Sequence, residues 1–325
     1  MNSGAAPLWP PRAAGDGPDV MGIGQISLDR VCIVEELAPP GAKSRLLETH
    51  ERPGGQVATA MLACAKLGLR AAYVGVVGDD AAAEAALEPL RLAGVDLSGV
   101  QRVSGARTRQ AVVLVEQGSG ERVVFGQPDP PLRPGAEGLE PERIARCGAL
   151  HVDASDPDTA GWAVNLARAA EVPVVLDADA PGPGVSELVA KVDFPIISGT
   201  FDESLKSDLV SGRALQTIHA PTARLLVATL GARGAIARAG DRLIESPGFR
   251  VEVRDTTGAG DVFHAGFVWA LLEGRDAEEV LRAANAAAAL SCRGLGAQGG
   301  LPSRDEVEAL LAGREPGAGD GHGGE

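Results

Sequence analysis

The chain has few aromatic residues, with one Tyr, three Trp and six Phe in 325 residues. Its core must therefore be built mainly from Ala, Val and Leu. Cysteine is scarce as well. Cys32, Cys64, Cys147 and Cys292 lie far apart and form no C-x-x-C pair. A zinc site or disulfide framework is unsupported, and reduced thiols in a cytoplasmic protein are expected. No apolar run reaches 18 residues, so no transmembrane helix and no membrane partner are expected. The opening MNSGAAPLWPPRAAGDGPDV lacks a basic start followed by an apolar stretch, so no signal peptide is expected. Basic residues are in deficit: 30 Lys and Arg against 44 Asp and Glu give a net charge of −14. Such a surface repels phosphate backbones, which excludes nucleic-acid binding as the main activity. It leaves room for a local anion site made of backbone N–H groups and a few cations.

Apolar residues make up 45% of the chain, and 43 Gly and 22 Pro punctuate it. This suits one large packed α/β domain with many tight turns. Residues 1–18 and 313–325 read as flexible tails. VMGIGQISL (20–28) reads as a buried first strand. Gly54 and Gly55 precede a small-residue helix ended by Gly68. AAYVGVVG (71–78) is a strand, followed by Asp79, Asp80 and an Ala-rich helix that Gly94 ends. AVVLVE, QGSG and ERVVFG form a hairpin. From about residue 140, short apolar strands (ALHVDAS, VPVVLDAD, FPIISG, RLLVATLG) alternate with helical stretches. This argues for a mostly parallel sheet covered by helices on both faces. Two helices close the domain. Segments 31–50 and 107–126 are expected to leave the main sheet as a small lid. Ligands of such folds bind at the carboxyl ends of the strands, where Asp29, Asp177, Asp179 and Gly231 fall.

Asp255-Thr256-Thr257-Gly258-Ala259-Gly260-Asp261 carries the strongest chemical signal. Two glycines and small residues open a long apolar helix, which gathers free N–H groups and the positive end of the helix dipole. Gly258 and Gly260 let a phosphate approach the backbone. Asp261 falls in the first turn, where the dipole is expected to keep it ionised. A carboxylate beside an anion hole is what phosphoryl transfer to an alcohol requires. Taken locally, the segment also fits a Gly-rich loop with an Asp cap.

The D-T-T-G-A-G-D run followed by x-F-x-A-G-F resembles the C-terminal signature of the PfkB, or ribokinase-like, carbohydrate kinases. Gly54-Gly55, Ala60 and Leu67-Gly68 are similar to that family's N-terminal signature, and the resemblance covers residues 19–312. It implies a three-layer α/β/α sandwich with a small β-sheet lid. The implied activity is ATP-dependent transfer of a γ-phosphoryl group to a sugar hydroxyl. The resemblance casts Asp261 as base and Gly258, Ala259 and Gly260 as anion hole. It places the sugar at Asp29, Gly54, Gly55 and Thr59, with Arg109 and Gln110 toward its polar or anionic tail. The nucleotide would lie along Thr229, Gly231, Gly234, Thr257 and Asn285. Mg²⁺ would accompany ATP, and K⁺ is implied near Asp255 and Thr257 with loop 294–299 closing over it. A homodimer formed through the lid is also implied. Arg109-Gln110 and the Gly120-Glu121-Arg122 turn further resemble a subgroup with sulfofructose and other ketohexose kinases.

Two departures stand out. Thr59 occupies a position where many members carry Asn. The family's N-x-x-E motif falls at Ser198-Gly199-Thr200-Phe201, with Asp202 and Glu203 beyond, which changes the Mg²⁺ arrangement. That change motivates an alternative: a kinase-like regulator that binds nucleotide or sugar. An intact base and anion hole argue against it. His264, three residues past Asp261, either touches ligand or packs beneath its helix. Gly22-Ile23-Gly24-Gln25-Ile26-Ser27 only approaches the dinucleotide fingerprint, and neither a P-loop nor G-x-S-x-G occurs.

Overall fold

A computed structural model describes residues 6–11, 15–126, 139–199 and 212–314. Thr200, Phe201, Asp202 and Glu203, invoked above for Mg²⁺, lie outside the described residues. The chain runs through β1 (Val20–Ile23), β2 (Ser27–Val34), β3 (Leu46–Gly54), α1 (Gln56–Lys66), β4 (Ala71–Gly78), α2 (Ala81–Leu92), β5 (Asp96–Val103), β6 (Gln110–Glu116) and β7 (Arg122–Gly126). The second half comprises α3 (Pro141–Arg146), β8 (Ala149–Asp153), α4 (Pro157–Ala169), β9 (Val174–Ala178), α5 (Val185–Lys191), β10 (Phe194–Ser198), α6 (Arg213–Thr217) and β11 (Leu226–Thr229). It ends with β12 (Gly234–Ala239), β13 (Arg242–Pro247), α7 (Ala259–Leu272), α8 (Ala277–Ser291) and α9 (Arg304–Leu311).

Nine strands form one sheet in the order β13-β12-β11-β10-β9-β8-β1-β4-β5. The pairings from β5 to β11 are parallel, and β12 and β13 add an antiparallel edge. Strand side chains alternate between two cores. Val20, Tyr73, Val175 and Val227 pack with α1, α2, α7 and α8, whereas Met21, Val74, Leu176 and Leu226 pack with α3 to α6. This period-2 division is why the strands read as continuous apolar runs. A second, four-stranded sheet has the order β3-β2-β6-β7.

VMGIGQISL is therefore two strands rather than one: β1 belongs to the large sheet and β2 to the small one. The chain breaks at Gly24, where an added Cβ would lie 2.3 Å from Asp153 Oδ2. Within 1–18, Leu8 and Trp9 lie against the core instead of trailing free. The Leu8 N–H donates to the Arg275 carbonyl, and Trp9 stands edge-on to Phe194 with Arg224 over its ring.

The helix that begins at Ala259 owes its position to small residues. A Cβ on Gly266 would come 2.9 Å from Ala287 Cβ and 3.0 Å from Ala284 Cα, so α7 and α8 meet almost backbone to backbone. Gly266→Val overpacks this contact and is expected to cost about 1–3 kcal/mol. Urea unfolding should show a lower midpoint with an unchanged slope. A midpoint equal to wild type would mean that α7 is not held there.

Candidate active site

The carboxyl ends of adjacent strands bring the polar residues together. Asp153 pairs with Asp177 across β8 and β9, Ile196 pairs with Asp177 across β9 and β10, and Ser198 pairs with Thr229 across β10 and β11. The small sheet approaches these ends. Its β2 supplies Asp29 and its hairpin supplies Arg122.

At one end of this crevice stands the N-terminus of α7. Helices α2, α4, α8 and α9 begin with an Asp or Ser side chain accepting a backbone N–H. Helix α7 begins with Gly258 at φ 79° and has no side-chain cap. Thr257 N–H is taken by Asp255 Oδ1 and Ala259 N–H by the Thr256 carbonyl, but the N–H groups of Gly260 and Asp261 find no acceptor among the described residues. A Cβ on Gly260 would meet nothing within 4 Å, so open space adjoins those donors. An anion in that space would receive the hydrogen bonds a cap supplies elsewhere.

Asp261 is half-buried in the first turn. Its carboxyl is pushed well above the usual range, chiefly by desolvation and then by the charge of Asp179, while the Arg122 guanidinium opposes the shift. The helix dipole was expected to hold Asp261 ionised. Its contribution, about 0.3–1 kcal/mol, is small beside the several kcal/mol for a carboxylate withdrawn from water. The neighbours share the condition. Asp177 is raised well above its usual value by burial and by Asp179, Asp261 and Asp153, and Asp153, Asp179 and Asp29 are raised by burial. Gln56 Nε2 bridges Asp177 Oδ2 at 3.1 Å and Asp179 Oδ2 at 2.5 Å, which links the start of α1 to the end of β9.

Asp29 is buried, and its Oδ1 has no hydrogen-bond partner. A Cβ on Gly54 would lie 2.1 Å from Asp29 Oδ2, so Gly54 makes the space this carboxyl occupies. Gly55, at φ 93°, turns the chain into α1, where a Cβ would strike Ile26 Cα at 2.4 Å. Arg109 directs its charge at Asp29 and Asp153. Gln110 opens β6 beside Leu28. Thr59 is fully buried, and its Oγ1 accepts a hydrogen bond from Gln298 at 3.4 Å.

Thr229 and Gly231 lie farther along the sheet. Gly231, at φ 58°, faces open space, whereas Gly234 is wedged with its Cβ position 2.1 Å from the Ser246 carbonyl oxygen. Asn285 is buried. Its amide donates to the Ser246 carbonyl at 2.9 Å and lies 2.9 Å from Ser246 Oγ, tying α8 to β13. Asp255 is buried, and its Oδ2 accepts the Gly296 N–H at 2.7 Å, so loop 293–299 closes on the segment. Thr257 Oγ1 is buried without a partner.

His264 packs beneath its helix. Its Nδ1 lies 2.7 Å from the Gly260 carbonyl, which can only accept, so that nitrogen carries the proton. Burial lowers its pKa to about 4 and that of His151, whose ring lies 5.1 Å away, to about 3. Both imidazoles are neutral near pH 7. No group of three or more potential ligands is arranged to hold a metal ion among the described residues. Asp153 and Gln56 went unrecognised in the sequence, and Arg122 was noted there only as part of the Gly120-Glu121-Arg122 turn. Asp153 ends an apolar strand, as Asp177 nearly does, and that signal was available. Arg122 reaches the site only through tertiary folding, with Nη1 3.1 Å from Thr256 Oγ1.

The pfkB family carbohydrate kinases match residues 18–304. The chain belongs to that family. It is 31% identical over 292 residues to a ribokinase of Bacillus subtilis, covering 89% of this chain and 98% of that one. A crystal structure of a putative ribokinase from Agrobacterium tumefaciens superposes with a TM-score of 0.79 at 28% identity, covering 91% and 98% of the two chains. The Arabidopsis thaliana ribokinase complexed with ribose and ATP gives 0.72 at 25% identity, covering 91% and 99%. These findings make the protein a carbohydrate kinase with the ribokinase-like fold. No described helix is long and apolar enough to cross a membrane.

The raised carboxyl of Asp261 yields a stability prediction. Its folded-state pKa exceeds the ordinary carboxylate value, so its favourable contribution exists at low pH and disappears as pH rises through the folded-state value. Asp261→Asn should therefore melt at a higher temperature than wild type at pH 8, with the gap shrinking toward pH 4. A variant that melts lower at pH 8 would contradict the assigned burial cost.

Proposed function

We propose that the chain transfers the γ-phosphoryl group of ATP to a sugar hydroxyl, with Asp261 as general base and the Gly258–Asp261 helix start as the anion hole. The observation that carries this reading is the uncapped α7 N-terminus with a carboxylate in its first turn, inside a family of carbohydrate kinases. The Arabidopsis relative with bound ATP supports the choice of nucleotide. The sugar would lie between Asp29, Gly54, Gly55 and Arg109, its hydroxyls bonding the unpartnered Asp29 Oδ1. The nucleotide would lie along Thr229, Gly231 and Gly234, with its terminal phosphate at the N–H groups of Gly260 and Asp261.

The proton balance is direct. The acceptor hydroxyl gives its proton to the ionised Asp261 carboxylate, its oxygen bonds the γ-phosphorus, and ADP departs with the bridging oxygen. The γ-oxygens take the N–H bonds of α7 as charge redistributes. Raising the pKa of Asp261 makes it a stronger base once ionised. Arg122 opposes that rise and places positive charge near the transfer.

Mg²⁺ suits this site as the counter-ion that ATP brings, because it needs only one or two carboxylates besides phosphates and water. Asp177 and Asp179 would serve that part. K⁺ fits at Asp255 and Thr257, where the Thr257 hydroxyl is buried without a partner. Pairing through the small sheet is supported by Val112, Val123 and Phe125, which stand exposed on one of its faces. Among acceptors, ketohexoses including sulfofructose, ribose, 2-keto-3-deoxygluconate and nucleosides share the required alcohol.

The test is ADP release with MgATP across that panel. At least one sugar should turn over, and Asp261→Asn should lose turnover by several orders of magnitude while retaining ATP binding. ATP or sugar binding without turnover on any acceptor would overturn the reading, as would near-normal turnover by Asp261→Asn.

A further inference from the structure

A cavity of about 720 Å³ lies between β3, α1, α2 and loop 293–299, on the outer side of that loop from the α7 N-terminus. Its wall carries Arg52, Lys66, Arg254 and Arg293, together with His50, and no Asp or Glu. The exposed His50–Glu48 pair, 2.8 Å apart, sits at one edge. None of the four Arg and Lys side chains forms an ion pair among the described residues. The acidic excess of the chain, a net charge of −14, supplies none of these four cations with an acidic partner among the described residues. Four like charges facing one space repel each other, and an anion between them would remove that repulsion. Apart from Gln298, the remaining wall is apolar side chains and glycine backbone. Leu62 and Leu295 line it, and Leu92, 78% exposed, stands at its border. A cation-rich wall next to an aliphatic one fits an anion with an organic body, and the volume is typical of small-molecule sites.

We propose that this cavity binds a phosphorylated small molecule, such as a sugar bisphosphate, whose occupancy is transmitted to the catalytic helix through loop 293–299. The loop has two working faces. Gly294, Leu295, Gln298 and Gly299 line the cavity. Gly296 N–H meanwhile bonds Asp255 Oδ2 at 2.7 Å, and the Ala297 backbone abuts Gly258, where a Cβ would approach within 2.7 Å. The Arg52 side chain rests on Gly296, with its Cγ 2.9 Å from that residue's Cβ position. Arg254 immediately precedes Asp255. Drawing Arg52, Arg254 and Arg293 onto one anion would hold the loop and the Asp255–Asp261 segment together. The cavity is separate from the crevice holding Asp261, so its test does not depend on the sugar acceptor.

The experiment is calorimetric titration of the full chain, saturated with a nonhydrolysable MgATP analogue, with fructose 1,6-bisphosphate, pyrophosphate and inorganic phosphate in turn. Hydrogen exchange is followed at amides 255–261. One equivalent of the bisphosphate should bind, more weakly as salt rises. Exchange at 255–261 should slow on binding. Lys66→Glu with Arg293→Glu should weaken binding about tenfold or more. Lys66→Gln alone, which removes one charge on an exposed helix position, should weaken it in the same direction if the double reversal does not fold. Absence of binding at millimolar concentration, or affinity unaffected by these changes, would overturn the site. Binding that leaves exchange at 255–261 unchanged would overturn its coupling to the loop.

Discussion

Burial of like-charged carboxylates at one end of a parallel sheet is the constraint on which this structure turns. Asp153 and Asp177 come to that end because their strands are parallel and in register. Asp261 arrives on the first turn of α7, and Asp29 on the strand that leaves for the small sheet. Each is desolvated; Asp153 and Asp261 raise the proton affinity of Asp177, and Asp153 and Asp29 raise that of Asp261. The fold manages this cost with the Gln56 bridge, the N–H groups of Gln25 and Ser155 on Asp153, and the positive charges of Arg109 and Arg122. Stability given up at such a place is ordinary for an active site, where a proton acceptor must be held ready.

The two sheets divide the labour. The large sheet fixes strand ends to within a residue, because a slip would turn apolar side chains out of both cores. The small sheet brings Asp29, Arg109 and Arg122 over those ends. Its hairpin turn docks directly on the Asp255–Asp261 segment: the Gly120 carbonyl accepts from both the Thr256 N–H and the Thr256 hydroxyl. Arg122 then reaches Thr256 from the same hairpin. The position of the small sheet and the positive charge beside the start of α7 are thus set by one contact. Loop 293–299 approaches the same segment from the other side through Gly296 and Ala297. The start of α7 is held between two elements that the nine-stranded sheet does not contain.

Much of this was legible in the sequence where local chemistry dictates structure. Gly258 and Gly260 opening an apolar helix, the Gly54-Gly55 turn, and Asp80 capping an Ala-rich helix are short-range signals, and each element lies where its residues indicated. The break between β1 and β2 was hidden. VMGIGQISL is apolar throughout, and the break depends on Gly24 packing against Asp153, 129 positions away by number. β5 escaped because DLSGVQRV is a partly exposed edge strand with little apolar alternation. Trp9 lies in a Pro- and Gly-rich opening whose composition says nothing of Phe194. Arg122 carried no local sign of its role, since its neighbours in the hairpin are ordinary turn and strand residues. Asn285 was placed near the nucleotide by resemblance, whereas the structure engages its amide with Ser246. The dipole at Asp261 was legible because helix geometry is local, whereas the desolvation that raises its proton affinity is not.

The central claim is that Asp261 is a half-buried base whose proton affinity is set by desolvation and by Asp179. The most direct measurement is the pH dependence of kcat/KM on an accepted sugar, for wild type and for Asp179→Asn. Ionisation of Asp261 in the free enzyme should appear as a limb of rising activity with a midpoint above the ordinary carboxylate range. Removing the like charge at residue 179 should move that midpoint down. A midpoint within the ordinary range, or one that Asp179→Asn leaves in place, would contradict the account.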